Sequence, residues 1–206
     1  MAASRNRWSR AGVGLAFALG ATRAEAHLVT TGLGPVYDGI GHFFLSPDDV
    51  LPAAGLALLA GMRGPEAGRR ALLWLPLAWV VGGLAGMLGG APAWSGQIPA
   101  AASFLLLGAL VAADRALPVK VVSALALLVG GAHGFFNGLA MREAGTGPAL
   151  LQLIGVGVML FVIVATVAAF VVSLRRPWTR IVVRVAGSWI AATGLLLLGW
   201  ALRVKR

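Results

Sequence analysis

The chain lacks cysteine altogether and has little polar chemistry, with seven acidic residues and three histidines among its 206 residues. The absence of cysteine excludes disulfide frameworks, thiolate metal sites and thiol redox centres. Metal chemistry is therefore restricted to histidine, carboxylate and backbone oxygen. A phosphate-binding loop of the form Gly-x-x-x-x-Gly-Lys is also absent from the sequence. If the protein carries out an energy-requiring process, the energy must therefore come from an ion gradient or from another subunit.

Apolar residues, by contrast, make up 59% of the chain, and the mean hydropathy is +0.87. This composition is too apolar for an ordinary soluble domain and is typical of a polytopic membrane protein. The formal charge of +10 does not indicate a nucleic-acid partner, because the basic residues form short clusters between apolar runs. We therefore expect an all-α bundle of transmembrane helices whose partner is the lipid bilayer.

Residues 1–26 have the pattern of a secretory signal peptide, with three early arginines, an apolar stretch over residues 11–22 and an A-x-A cleavage site at residues 24–26. The apolar stretch is shorter than the roughly 20 residues that span a bilayer. We predict cleavage after Ala26, which leaves residues 27–206 as one transmembrane domain. The alternative is a short anchor that stays attached.

Cleavage at this site makes His27 the first residue of the mature chain. Its free α-amine and its imidazole then form a chelating pair on the extracytoplasmic side. The position follows from the cleavage site alone, whereas a metal-binding role does not, since a histidine after a signal peptide also arises by chance.

The rest of the sequence divides into six apolar segments, which we predict to be six transmembrane helices. The first segment is short, and we expect it to act together with a short extra helix near residues 34–45 as a broken or re-entrant pair. The six segments lie near residues 47–62, 69–90, 97–114, 117–141, 147–174 and 178–202.

Basic clusters set the predicted orientation. They follow the first, third and fifth segments, whereas the loops after the second and fourth carry little or no charge. The positive-inside rule makes the basic loops cytoplasmic, so a bacterial inner-membrane protein with an extracytoplasmic mature N-terminus is expected. The basic C-terminal tail disagrees with this orientation. The basic residues of the three loops are Arg63, Arg69, Arg70, Arg115, Lys120, Arg175, Arg176 and Arg180.

The most polar stretch, residues 34–49, holds three of the seven acidic residues and one of the three histidines. Asp38 and His42 are four residues apart, so on a helix their side chains share a face. Together with Asp48 and Asp49 they provide nitrogen and oxygen atoms of the kind that bind divalent first-row metals.

Each of these residues also has a purely structural interpretation. In Ser46-Pro47-Asp48-Asp49, Ser46 is a candidate helix N-cap and Asp49 the closing residue of a capping box. Asp48 then favours the helix dipole, and Asp38 forms an Asx-turn. Tyr37 is a candidate interfacial anchor.

Polar residues are also found inside the fourth and fifth segments. His133 and Asn137 share one helical face, and a polar group at membrane depth indicates function unless it only pairs across helices. Gln152 follows in the next segment, where it either joins the same cluster or reaches the interface. We expect the 34–49 stretch and His133 to meet near the outer side of the membrane and to form a site for nickel, cobalt, copper or zinc.

This pattern resembles the HupE/UreJ family, whose members are regarded as permeases for nickel or related metals. The resemblance covers nearly the whole mature chain. The first-helix motif of the family is His-Pro-x-x-Gly-x-Asp-His, in which Gly39 and His42 match while Pro35 and Gly41 replace the first histidine and the aspartate. His133 matches the histidine of the fourth span.

The resemblance implies that other residues replace the missing ligands. Asp38 is the candidate for the lost carboxylate and His27 for the lost imidazole, and Gln152 stands where a fifth-span histidine is expected. The fold is thereby implied more directly than the identity of the metal.

The sequence thus predicts a secondary permease or binding protein for a divalent metal ion as cargo, with no organic cofactor. His42, His133 and Asp38 are the main expected ligands, with Asp48, Asp49 and His27 as further ligands. Asn137, Gln152 and Tyr37 are the expected supporting residues. The alternative is a non-transporting membrane subunit or assembly factor, in which the polar residues hold helices together and other membrane subunits are the partners. An enzyme is not expected, because no nucleophile–base pair or paired carboxylate arrangement is evident.

Overall fold

The computed structural model describes residues 30–90 and 96–204. The predicted signal peptide and His27 therefore lie outside the described residues. The described part is all helical, as predicted, with seven α-helices and one short 3₁₀ helix, Arg142–Ala144. The α-helices are α1 (Pro35–Leu45), α2 (Pro47–Arg63), α3 (Pro65–Leu88), α4 (Gln97–Ala113), α5 (Val119–Met141), α6 (Thr146–Ser173) and α7 (Pro177–Val204).

Four of these helices, α3, α5, α6 and α7, are long and apolar enough to cross a membrane. A fifth candidate span is the pair α1 and α2, which meet at an angle of 75°. Helix α4 is apolar but has only 17 residues. The structure therefore supports four or five spans by length and composition, and the six-span count and the signal peptide stay predictions.

The bend between α1 and α2 follows from local sequence. Pro47 clashes with a helical conformation of the preceding residue, and Ser46 is accordingly extended, with φ −103° and ψ 95°. Proline at the first position of α2 loses no helical hydrogen bond there. The chain thus breaks at Ser46 and turns into α2, which gives the broken pair predicted from the sequence.

Helix α2 occupies the centre of the bundle and contacts each of the other described α-helices. Its buried face is rich in small residues such as Ala53, Gly55, Ala57 and Ala60, which let neighbouring backbones approach closely. Close packing of this kind is the main attraction between helices in lipid, where hydrocarbon surrounds the bundle as well as filling it.

Glycines permit the closest helix pair, α3 with α5. A Cβ on Gly86 would lie 2.0 Å from the carbonyl oxygen of Phe135, and one on Gly134 would lie 2.1 Å from that of Trp79. Glycines recur every fourth residue at positions 82, 86 and 90 of the second predicted segment and at positions 130, 134 and 138 of the fourth. In the folded chain the two sets face each other. Gly90 is the exception, since a Cβ there would meet nothing within 4 Å.

At the end of the bundle away from Ser46, α2, α4 and α7 are joined through Asp114. This residue follows α4 in the left-handed conformation, with φ 51°. Its carboxylate accepts hydrogen bonds from the guanidinium groups of Arg63 and Arg180. Hydrogen bonding from Arg180, assisted by Arg63, lowers the pKa of Asp114 below its ordinary value.

Gly134→Ala and Gly131→Ala form a matched pair that tests the contact between α3 and α5. The first places a methyl group against the Trp79 backbone, whereas the second meets nothing within 4 Å. We expect Gly134→Ala to lower the free energy of unfolding by about 1–3 kcal/mol, a typical cost of overpacking. Gly131→Ala should leave it unchanged or slightly higher, since alanine favours helix. Thermal unfolding in detergent measures both, and equal effects would contradict the proposed contact.

Asp114→Asn should lower stability by about 2 kcal/mol, because Arg63, whose side chain is 8% exposed, loses its charged partner. Asparagine tolerates the left-handed conformation, so the backbone itself is not strained. The lowered pKa means that the native contribution is complete above pH 3.8, the ordinary value, and is lost as the pH falls through the native pKa. Thermal unfolding at neutral pH checks this, and an unchanged midpoint would exclude a role for the ion pair.

Candidate functional site

A cavity of about 380 Å³ opens at the end of the bundle where α1 turns into α2. Its wall includes the end of α1, the start of α2, the start of α4 and the second half of α5. The polar side chains that line it are His42, Ser46, Asp48, Asp49, Gln97, His133 and Asn137. The cavity therefore brings together residues from both polar stretches that the sequence pointed to.

Asp49 lies at the centre of this arrangement and is only 3% exposed. Its Oδ1 accepts a hydrogen bond of 2.9 Å from Nδ2 of Asn137. Its Oδ2 makes no hydrogen bond of ordinary geometry within the described residues. The capping box that the sequence suggested does not form, since neither Ser46 nor another side chain caps α2, and the carboxylate turns into the bundle instead.

Two imidazoles flank the same carboxylate. Nε2 of His42 lies 3.6 Å from Oδ2 of Asp49, and Nδ1 of His133 lies 3.9 Å from Oδ1. Both distances are too long for hydrogen bonds. They fall within the separation of about 3–4 Å expected for two ligand atoms that each lie about 2 Å from a shared ion.

Hydrogen bonding relates the tautomer of His133 to Ser103. Nε2 of His133 lies 2.9 Å from Oγ of Ser103, in a hydrogen bond whose direction depends on the tautomer, and the same hydroxyl lies 2.8 Å from the carbonyl oxygen of Ala100. When the hydroxyl donates to Ala100, it accepts from Nε2–H, and Nδ1 then carries no proton. In that tautomer the lone pair of Nδ1 faces the carboxylate of Asp49. Two acceptors arranged in this way favour a cation or an added proton between them.

The indole of Trp79 holds the His133 ring in place. The two rings stack with their centroids 5.3 Å apart and an interplanar angle of 27°. Because Ser103 and Trp79 come from α4 and α3, three helices fix the orientation of this one imidazole. Sequence reasoning missed both residues, although Ser103 is the only hydroxyl residue of the apolar segment 97–113 and could have been singled out for that reason.

Three other predicted site residues, Asp38, Tyr37 and Gln152, do not line the cavity. The carboxylate of Asp38 accepts hydrogen bonds from the backbone N–H and the hydroxyl of Thr31, at 2.6 and 2.7 Å, and does not line the cavity. Tyr37 is exposed, as expected for an interfacial anchor. Gln152 is buried, but it packs under α1, where its backbone carbonyl would touch a Cβ on Gly39. Asp48 is exposed at the mouth of the cavity.

The donor set fits a metal ion in its chemistry but not yet in its arrangement. Two imidazoles, a carboxylate and the amide oxygen of Asn137 are ligands that suit nickel, cobalt, copper and zinc. Within the part of the chain that the structure describes, however, no three histidine or acidic side chains are positioned to hold a metal ion together. A bound ion would require small side-chain movements or a further ligand.

These features define a class: a polytopic helical membrane protein with a buried histidine–carboxylate–histidine cluster at one end of its bundle. The family model for the HupE / UreJ protein matches residues 15–197. The chain therefore belongs to the HupE/UreJ family, a membrane-protein family that is generally related to nickel and cobalt transport. No curated protein and no solved structure matches the chain.

The geometry changes how the family motif is interpreted in this chain. The motif calls for a carboxylate next to a histidine, and the sequence suggested Asp38 as the replacement. In the structure the carboxylate beside His42 is that of Asp49, whereas Asp38 is bound to Thr31. The turn at Ser46 is what returns Asp49 to His42, seven residues earlier in the sequence.

Asn137→Leu tests the bond between α2 and α5. The change removes the one hydrogen-bond donor that Asp49 has in the described residues, and we expect the free energy of unfolding to fall by about 1–3 kcal/mol. The double variant Asp49→Leu/Asn137→Leu replaces both polar partners and should be more stable than the single variant. Thermal unfolding of the double variant and of each single variant, Asn137→Leu and Asp49→Leu, measures these changes. A double variant that loses the sum of the two single losses in unfolding free energy would show that the residues act independently.

Proposed function

We propose that this protein binds a divalent first-row metal cation, nickel or a similar ion, in the cavity and passes it across the inner membrane as a secondary permease. The observation that carries the proposal is the convergence of His42 and His133 on the carboxylate of Asp49. Nε2 of His42 and Nδ1 of His133 lie beside the carboxylate at separations too long for hydrogen bonds. When these nitrogen atoms carry no proton, their lone pairs and the carboxylate oxygens are available to bind a cation. A cation is the natural occupant of such a site.

Each side chain then has a distinct role. Nε2 of His42, Oδ2 of Asp49 and Nδ1 of His133 are the proposed ligands, and the amide oxygen of Asn137 is the nearby fourth donor. Ser103 and Trp79 orient His133, as outer partners of metal ligands commonly do. Asp48, at the mouth, attracts cations from water. His27 remains a proposed further ligand, which would complete a set that the described residues leave short.

Charge supports an extracytoplasmic opening for the cavity. Asp49 and Arg63 lie at opposite ends of α2, about 21 Å apart along the helix axis. Arg63 shares the carboxylate of Asp114 with Arg180 and donates a hydrogen bond to the backbone carbonyl of Arg115, and the positive-inside rule places such basic residues on the cytoplasmic side. An ion entering from outside would then exchange its water for these ligands before it moves inward.

A second candidate function is a non-transporting membrane subunit or assembly factor. One observation favours it: the Asn137–Asp49 and Ser103–His133 contacts join α2, α4 and α5, which is sufficient to explain buried polar residues as helix-to-helix bonds. In that case the cluster stabilises the bundle and no ion is involved.

Asp49→Asn and Asp38→Asn distinguish these functions, because each removes one negative charge at the same end of the protein. Only Asp49 lines the cavity. For the purified protein in liposomes, we expect Asp49→Asn, His42→Ala and His133→Ala to lower nickel or cobalt uptake at least about tenfold, the scale of losing a metal ligand or its support. Asp38→Asn should keep uptake near the wild-type rate.

Thermal unfolding with and without metal separates the two functions. A permease gains stability from the metal in the wild type but not in Asp49→Asn. If the wild type neither transports nor is stabilised by any of nickel, cobalt, copper or zinc, while the cavity variants unfold more easily, the structural role is correct and the transport proposal is not.

A further inference from the structure

A second cavity lies at the opposite end of the bundle and has no part in the proposed ion site. It has a volume of about 320 Å³ and is formed by the ends of α2 and α6 and the starts of α3 and α7. Three arginines, Arg175, Arg176 and Arg180, contribute to its wall. The cavity thus combines a dense positive charge with a position at the ends of apolar helices.

Two of the three arginine charges in this cavity are not neutralised by any described residue. Arg180 is held by Asp114, but Arg175 and Arg176 are exposed and form no ion pair with any described residue. The nearest acidic side chain on α3, Glu66, is already paired with Arg69 and Arg70. Two guanidinium groups therefore stay available for an anion from outside the chain.

Backbone geometry adds to the same preference. The first residues of α3 and α7, Pro65 and Pro177, both line the cavity. Proline has no N–H to donate, so the contribution of these two helix starts is the partial positive charge of the helix dipole, which favours phosphate and carboxylate groups. Arginine pairs with phosphate oxygens through two parallel hydrogen bonds. The arginines and the two helix starts together fit a phosphate group.

Apart from the arginines and Thr179, whose hydroxyl donates to the carbonyl of Arg176, the side chains that line the cavity are apolar and continue onto the lipid-facing surface. Val171, Val172 and Leu174 line it on α6, and Ile181 and Val182 are exposed beside it on α7. Trp178, 56% exposed, stands at the start of α7, where an interfacial tryptophan is expected. A free phosphate ion would make no contact with this apolar surface, whereas the glycerol and acyl chains of a lipid would cover it.

We propose that this cavity is a binding site for the phosphate headgroup of an anionic glycerophospholipid. Arg175 and Arg176 bind the headgroup, and the apolar surface of α6 and α7 holds the start of the acyl chains. Basic pockets between transmembrane helices on the cytoplasmic side bind anionic lipids in this way. The lipid would join α2, α3, α6 and α7 at the end of the bundle away from the ion site.

The first experiment compares lipid binding by the full chain in detergent, using native mass spectrometry with phosphatidylglycerol and phosphatidylcholine. Arg175→Gln/Arg176→Gln removes two charges from the cavity. Arg115→Gln/Lys120→Gln is the matched control, because it removes two exposed charges from the α4–α5 connection at the same end, and neither residue lines the cavity. We expect the wild type and the control to prefer phosphatidylglycerol, and the cavity variant to lose at least about 80% of the bound anionic lipid, as expected for the loss of roughly 1 kcal/mol or more of binding energy.

Equal retention of phosphatidylglycerol by the cavity variant and the control would overturn the proposal. Inorganic phosphate in excess provides the second arm. If it displaces the lipid completely, the site recognises a free anion and the lipid assignment is wrong. If the lipid stays bound, its chains contribute to binding as proposed.

Trypsin cleavage of the unaltered protein gives a test that no folding defect can affect. In bilayer discs, phosphatidylglycerol should slow cleavage between Arg175 and Arg176 relative to phosphatidylcholine, while cleavage after Arg115 stays nearly unchanged. Equal protection at both places, or none at the first, would show that the cavity holds no specific lipid. Neither test depends on metal uptake, so the proposed ion site can fail without affecting this one.

Discussion

A buried carboxylate in an apolar helix bundle is the constraint on which the functional part of this structure depends. Asp49 is almost completely removed from solvent, and an isolated charge in such a place is costly unless it is paired or hydrogen-bonded. The protein provides one amide donor from Asn137 and two imidazoles at a distance. The carboxylate of Asp49 still lacks a fully charged partner among the described residues, and for this reason the cavity is a candidate cation site.

Close contacts between helix backbones position the side chains of this cluster. Glycines at the α3–α5 contact bring Trp79 against α5, and Trp79 stacks on His133. Gly39 and Gly155 let α1 lie against α6, so that His42 is held beside the start of α2. Close approach therefore positions the imidazoles as well as stabilising the bundle, because in lipid the packing of small residues replaces the hydrophobic driving force.

The two ends of the bundle have opposite electrostatic character. Around Asp49 the acidic and imidazole groups exceed the cations, whereas at the other end Arg63 and Arg180 bind Asp114, and Arg175 and Arg176 form no ion pair with any residue that the structure describes. Helix α2 connects both ends and contacts all the other described α-helices. A movement of this one helix would therefore change both the cavity around Asp49 and the contacts of Arg63 at the other end.

The sequence by itself determined the class of fold and the important residue types. Runs of apolar residues separated by arginines predict membrane helices, proline at position 47 predicts the break before α2, and a histidine at membrane depth in the fourth segment identifies position 133, because each of these signals is local. Local pattern could not decide whether Asp49 caps its own helix or points into the bundle, nor that Asp38 is bound to Thr31. It also could not find Ser103 and Trp79, whose importance depends on their distance to His133. Only the tertiary structure decided these points, because they depend on how helices distant in sequence approach and rotate against one another, and that is set by the glycine contacts between them.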